Sequence, residues 1–284
     1  MTERHTASFV DDDLSHFAEA GAPPVPAGGS PRWIEHNGAR IWCATYGSGP
    51  AVVLLHGGLG HSGNWGHQVG PLCGAGYRVV LVDTRGHGRS TRDARPFTYQ
   101  LLASDVLAVI DAFGLERAAL VGWSDGACTA LVLAMQAPAR ANGVFFFACN
   151  MDPSGARPIE RGVTLQRCFA RHARDYAELS ETPGDFHAFA RAVGEMQVSQ
   201  PNATASELAR IDVPVTVALG ENDEFITREH AEYLAETIPG AGFVLLEGVS
   251  HFAPLQRPAL FNSALLQFLG RVLEPAKPQL GTQA

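Results

Sequence analysis

The sequence predicts an α/β fold, a mostly parallel sheet with helices on both faces, plus a small helical lid. Three observations predict it. Continuous apolar runs such as Ala51–Leu55 and Arg78–Val82 have the composition of strands buried on both faces of a parallel sheet. Helix-forming stretches near 97–113, 124–138, 227–237 and 257–273 alternate with such runs. Each late strand also ends in a loop carrying Gly, Ser, His or Asp, where open α/β sheets collect their sites.

In chain order, residues 1–30 read as an extension and linker: Gly21 to Gly29 is a Pro/Gly/Ala tract, and the acidic amphipathic piece from Phe9 to Ala20 is expected to lie outside the core. Trp33 to Tyr46 carries two strand-like runs around Asn37-Gly38, a two-residue hairpin signal. Ala51–Leu55 ends in His56-Gly57-Gly58, a loop that can aim a backbone N–H at a developing oxyanion. Arg78–Val82 runs into Asp83-Thr84-Arg85-Gly86-His87-Gly88-Arg89-Ser90, read as a fold-shaping turn rather than a metal site.

Ala118–Val121 is followed by Gly122-Trp123-Ser124-Asp125-Gly126 and then by a helix-forming stretch. In a G-x-S-x-G elbow the glycines leave room for a strained turn that lifts the serine hydroxyl above the sheet edge, at the positive end of the next helix. Cys128, four residues on, reads as a buried structural thiol. The stretch between Val144–Phe147 and the strand beginning near Val213 is too long for an ordinary connection. Leu165, Cys168, Phe169, His172 and Tyr176 recur there at helical spacing, as do Phe186, Phe189, Ala190, Val193 and Met196. Residues 151–207 therefore read as the lid, most of these side chains packing on one another and a minority lining a pocket. The core is expected over 31–150 and 208–284.

Val213–Leu219 runs into Gly220-Glu221-Asn222-Asp223, and Phe243–Leu246 into Gly248-Val249-Ser250-His251. A serine hydroxyl needs a neutral imidazole to take its proton, and the imidazole needs a carboxylate to fix its tautomer. His251 supplies the first. Asp223 supplies the second, with Glu221, Glu224 and Asp152 as competing acids.

With these five motifs in this order, roughly residues 33–273 resemble the serine-hydrolase branch of the α/β-hydrolases. The elbow is similar to that of biphenyl-hydrolase-like enzymes, which cleave amino-acid esters such as valacyclovir. The resemblance implies a nucleophile at Ser124, an acid at Asp223, a base at His251, and oxyanion donors on the backbones of Gly58 and Asp125. Trp65, Trp123 and Phe252 are the expected substrate contacts, with His61 also near the pocket entrance. The implied substrate is a small-molecule ester or lactone, cleaved without cofactor or metal, and an Asp125 side chain in the pocket would favour esters bearing an amino group. The same fold hosts hydrolases of carbon–carbon bonds in aromatic ring-cleavage products, and receptors without useful turnover.

Gly58-Leu59-Gly60-His61-Ser62-Gly63, with Asp83 ending the next strand, also fits a dinucleotide-binding fingerprint, but that reading leaves the elbow, Asp223 and His251 unexplained. The formal charge of −8 argues against a nucleic-acid partner. Five cysteines, an odd number without metal-ligand spacing, favour reduced thiols and a cytoplasmic location. No stretch approaches the roughly 20 apolar residues of a membrane span, and the N-terminus lacks a signal-peptide pattern. A homodimer is compatible with the sequence.

Overall fold

A computed structural model describes residues 12–158 and 162–273, so the expected features at Phe9–Asp11 and beyond residue 273 lie outside the described residues. The chain begins with α1 (Asp12–Ala20) and a hairpin of β1 (Ser30–His36) and β2 (Ala39–Tyr46). The hairpin turns on Asn37 at φ 44° and Gly38 at φ 73°, the left-handed pair that a two-residue turn requires. β3 (Ala51–Leu55), α2 (Gly66–Gly74), β4 (Arg78–Val82), α3 (Tyr99–Ala112), β5 (Ala118–Trp123), α4 (Asp125–Gln136) and β6 (Ala141–Phe147) follow. An insertion then carries α5 (Val163–Leu179), α6 (Phe186–Ser199) and the short α7 (Ala205–Leu208). The chain returns through β7 (Val215–Gly220), α8 (Arg228–Thr237), β8 (Gly242–Leu246), α9 (Ala253–Gln256) and α10 (Pro258–Val272).

The strands form one sheet in the order β1-β2-β4-β3-β5-β6-β7-β8. β1, β2 and β4 pair antiparallel, and all later neighbours pair parallel. Every residue of β3, β5 and β7 is buried, as expected of strands covered on both faces, with α2 and α10 packed on one side and α3 and α4 on the other. Parallel pairing aligns the strand ends: Leu55 lies opposite Gly122, and Trp123 opposite Phe147. The loops after β3, β5, β7 and β8 therefore open on one edge of the sheet.

The buried Arg85 guanidinium holds the turn after β4, donating from Nε and Nη2 to the two Asp105 oxygens at 2.8 and 2.7 Å. It also donates to the carbonyls of Asn37 and His36, each at 3.0 Å, and so pins the hairpin to α3.

One sequence expectation is corrected, and one helix is unexpected. Residues 12–20, expected outside the core, form a helix packed on α5 and α9, with Leu14 and Phe17 buried. Its apolar face was legible, but its docking site was not: Phe17 meets His172 of α5, ring to ring at 5.6 Å. Helix α2 was not among the expected helices, because three glycines and Pro71, all poor helix formers, hide it in the sequence. Buried Gln68, Val69 and Leu72 hold it in place.

Candidate active site

Ser124 sits between β5 and α4 at φ 55°, ψ −124°, a conformation costly for a residue with a side chain. Its neighbours explain how it is held. A Cβ on Gly122 would lie 2.3 Å from the Gly126 carbonyl oxygen, and one on Gly126 would lie 2.1 Å from that of Leu55. Only glycine lets the strand, turn and helix approach so closely. The Ser124 N–H donates to the Phe147 carbonyl at 2.9 Å, which fixes the turn to β6.

Across the cavity, His251 Nδ1 donates to Asp223 Oδ2 at 2.9 Å. The other oxygen of that carboxylate accepts from the N–H groups of Phe225 at 2.9 Å and Ile226 at 2.8 Å. The Asp223–His251 pair is buried. Burial alone would lower the imidazole pKa, but the Asp223 charge and hydrogen bond, with Glu224 and Asp125 farther off, outweigh it and raise the pKa above 6.5. With Nδ1–H committed to Asp223, the neutral ring keeps Nε2 as the basic nitrogen.

The competing acids are occupied elsewhere. Glu224 accepts from the His251 backbone N–H at 3.0 Å, and Glu221 from that of Gly248 at 2.8 Å. Asp152 caps a short turn through the Ser154 N–H at 2.9 Å and lies beside His230, not His251.

Gly57 and Gly58 approach the elbow from β3. A Cβ on Gly57 would lie 3.2 Å from that of Ser124, and one on Gly58 would lie 2.5 Å from Asp125 Oδ2. Asp125 opens α4, where the first N–H groups have no intrahelical partner and the helix dipole is positive. Its carboxylate is buried, which raises its pKa against the opposing hydrogen bonds of Tyr99 and Gln197.

A cavity of 440 Å³ brings Ser124, His251, Gly58 and Asp125 together, with Trp123 and Phe252 in its wall. Trp65 is not in that wall. It is fully buried behind Trp123, with ring centroids 6.2 Å apart, and packs on Phe261 at 6.0 Å. The glycine-rich turn directs Trp65 down into the core rather than out to the mouth. His61 is also spent on structure, its Nδ1 accepting from the Gly63 N–H at 3.1 Å.

The dinucleotide fingerprint finds no use here. The Asp83 carboxylate that would meet a ribose is buried and accepts from the N–H groups of Ser62 at 2.7 Å and Arg89 at 2.9 Å.

Of the insertion's apolar stripes, Phe169 and His172 reach the cavity, whereas Leu165, Cys168, Phe189, Val193 and Met196 are buried. Tyr99, Gln197 and Arg157 also line it, and sequence reasoning missed all three. Tyr99 starts a helix without any motif, and Gln197 lies off the apolar stripe of α6. A search for polar residues flanking that stripe would have found Gln197. No group of side chains suited to a metal ion, and no helix long and apolar enough to cross a membrane, is present among the described residues.

The sequence profile of the alpha/beta hydrolase family matches residues 52–264. The chain is 31% identical over 258 residues to a putative carbamate hydrolase RutD of Variovorax paradoxus, covering 81% of this chain and 97% of that one. It is 26% identical over 265 residues to a 2-hydroxy-6-oxononadienedioate/2-hydroxy-6-oxononatrienedioate hydrolase of Comamonas testosteroni, covering 81% and 91%. Among solved structures, Est816, described as an N-acyl homoserine lactone degrading enzyme, aligns at TM-score 0.66 and 28% identity, covering 84% of this chain and all of that one.

Proposed function

Since the chain belongs to the alpha/beta hydrolase family, we propose that it is a serine hydrolase cleaving a carboxylic ester or lactone of a small to medium, largely apolar substrate. The observation that carries this reading is Ser124, raised on its strained elbow into the cavity that His251 also lines, with His251 held by Asp223. In the proposed course His251 Nε2 takes the hydroxyl proton as Ser124 Oγ bonds to the carbonyl carbon. The tetrahedral oxyanion is met by the N–H groups of Gly58 and Asp125. Collapse breaks the bond to the leaving oxygen, which receives the proton from His251. Water, activated by the same imidazole, then releases the acid and restores Ser124.

The likeness to a lactone-degrading enzyme supports this substrate class. The relative from Comamonas testosteroni favours a second reading, cleavage of a carbon–carbon bond in a ring-cleavage product. Asp125 weighs against it, because a buried carboxylate beside the nucleophile repels the carboxylate of such a dienoate. Residues 151–207 serve, in this reading, as a lid over the cavity.

The test is direct. A fluorophosphonate should label Ser124, and Ser124→Ala should lower kcat on p-nitrophenyl butyrate by roughly 10⁴-fold or more. Labelling at another residue, or an active alanine variant, overturns the proposal.

A further inference from the structure

We infer that Gln197, on insertion helix α6, is a positioning residue for the oxyanion hole, tying the insertion to the residue that follows the nucleophile. The inference rests on the reading of Ser124 as that nucleophile. Gln197 Nε2 donates to Asp125 Oδ2 at 2.9 Å, and the Tyr99 hydroxyl donates to Oδ1 at 2.8 Å. The Tyr99 backbone N–H in turn donates to Gln200 Oε1 at 3.3 Å. Helices α3, α4 and α6 thus meet around one buried carboxylate.

Gly58 packs directly against this meeting point. A Cβ there would lie 2.5 Å from Asp125 Oδ2 and 2.7 Å from Gln197 Nε2, so the loop from β3 rests on the hydrogen bond itself. The two residues proposed to supply the oxyanion N–H groups therefore flank a single contact made by the insertion. Preorganised donors act only when held at the position of the developing charge. With the Gln197 bond made, the Gly58 loop and the Asp125 peptide are clamped at a fixed spacing. With it broken, Tyr99 still holds the carboxylate and still anchors the end of α6 through Gln200, but the insertion no longer braces Asp125 against the Gly58 loop.

The two ends of the bond differ in environment. Asp125 is 6% exposed, whereas Gln197 is exposed at the cavity wall, so the donor can be replaced without disturbing the core around its acceptor. The titratable groups facing Asp125 are Tyr99 from α3, Cys128 from α4 and His251, with Cys149 after β6 behind Tyr99 and Cys128.

Wild type, Gln197→Ala and Gln197→Glu are compared in kcat and KM on p-nitrophenyl butyrate, each counted by fluorophosphonate titration so that only competent sites enter the rate. The affinity of phenylboronic acid is measured by calorimetry. Ser124 Oγ adds to its boron and passes the proton to His251, giving a tetrahedral anion that needs the oxyanion hole but no turnover. Loss of a whole oxyanion donor costs roughly 10²–10³ in kcat, so a displaced pair in Gln197→Ala should cost about tenfold. KM should stay within about twofold, and the boronate should weaken by the same factor as kcat. In Gln197→Glu a proton shared with Asp125 keeps the contact at acid pH. The ratio of its kcat to that of wild type should therefore fall as pH rises through neutrality, since both share the His251 limb.

A raised KM at unchanged kcat, unchanged kinetics in Gln197→Ala, or a Gln197→Glu profile parallel to wild type overturns the inference. Failure of the nucleophile reading looks different: Ser124→Ala retains activity and the boronate does not bind wild type.

Discussion

His251 and Asp223 come from loops after adjacent strands, yet their side chains meet at 2.9 Å. Close approach of the two loops makes this possible. A Cβ on Gly220 would lie 2.5 Å from the Ser250 carbonyl oxygen, so β7 can bring Asp223 under the histidine only with glycine there. Asp223→Asn keeps the shape of this pair but offers His251 an amide that can hold the wrong tautomer. We expect kcat to fall by about 10⁴-fold with the melting temperature nearly unchanged. Asp152→Asn, tested alongside, should leave kcat within about twofold, since its surroundings are those of a turn cap.

The pH profile has a defined direction. The proposed reaction needs neutral His251, whose pKa lies above 6.5 because the Asp223, Glu224 and Asp125 charges outweigh burial. Activity is therefore full on the alkaline side and is lost as pH falls through that raised value. The acid limb of kcat/KM should have its midpoint above 6.5, and Glu224→Gln should move it towards acid by removing one of those charges. A limb centred below 6.5 would contradict the arrangement.

The elbow should be intolerant at Gly126. An added methyl there meets the Leu55 carbonyl at 2.1 Å, and both partners are backbone with no room to yield. Gly126→Ala should lower stability by several kcal/mol, on the order of the larger core substitutions, and abolish fluorophosphonate labelling. Gly270→Ala, on α10 where nothing lies within 4 Å of the added carbon, should be neutral or stabilising. Thermal unfolding of the two variants gives the comparison.

Acid should destabilise the fold from within. Burial lowers the pKa values of His56, His87 and His172 to about 4, 3 and 4. Unfolded, each would titrate near 6.5. The unfolded chain thus binds more protons between those limits. The stability these residues contribute is complete above 6.5 and is lost as pH falls towards 4 and 3, each adding a slope of up to about 1.4 kcal/mol per pH unit. Imidazole NMR resonances should show three rings still neutral at pH 5, and urea midpoints should fall across the same window.

How far the sequence led depended on whether a residue's role is local. Ser124, Gly122 and Gly126 were legible because an elbow is a matter of neighbours along the chain, and the sheet because apolar runs must be buried wherever they go. The expected pairing of Asp223 with His251 rested on their positions just past two late strands and on the family resemblance, and the adjacency of β7 and β8 is what lets the side chains meet. Trp65 was misread because whether a side chain points to a cavity or a core depends on the packing of α2 and α10, which leaves no trace in its own neighbourhood. Gln197 stayed hidden for the opposite reason: a glutamine beside an apolar stripe looks solvated until the insertion is folded over α3 and α4.

The docking of α1 on α5 has a practical consequence. Phe17 contacts His172, and His172 forms part of the cavity wall, so one ring separates the helix from whatever occupies the cavity. Removing the chain ahead of the hairpin, usually the harmless place to modify a chain, would here strip the support from behind one residue of the cavity wall. Shortening the chain past Ala20 should leave the central sheet intact and still alter which molecules it accepts. A form trimmed past Ala20 should therefore differ from the longer chain in its relative rates on small and bulky esters.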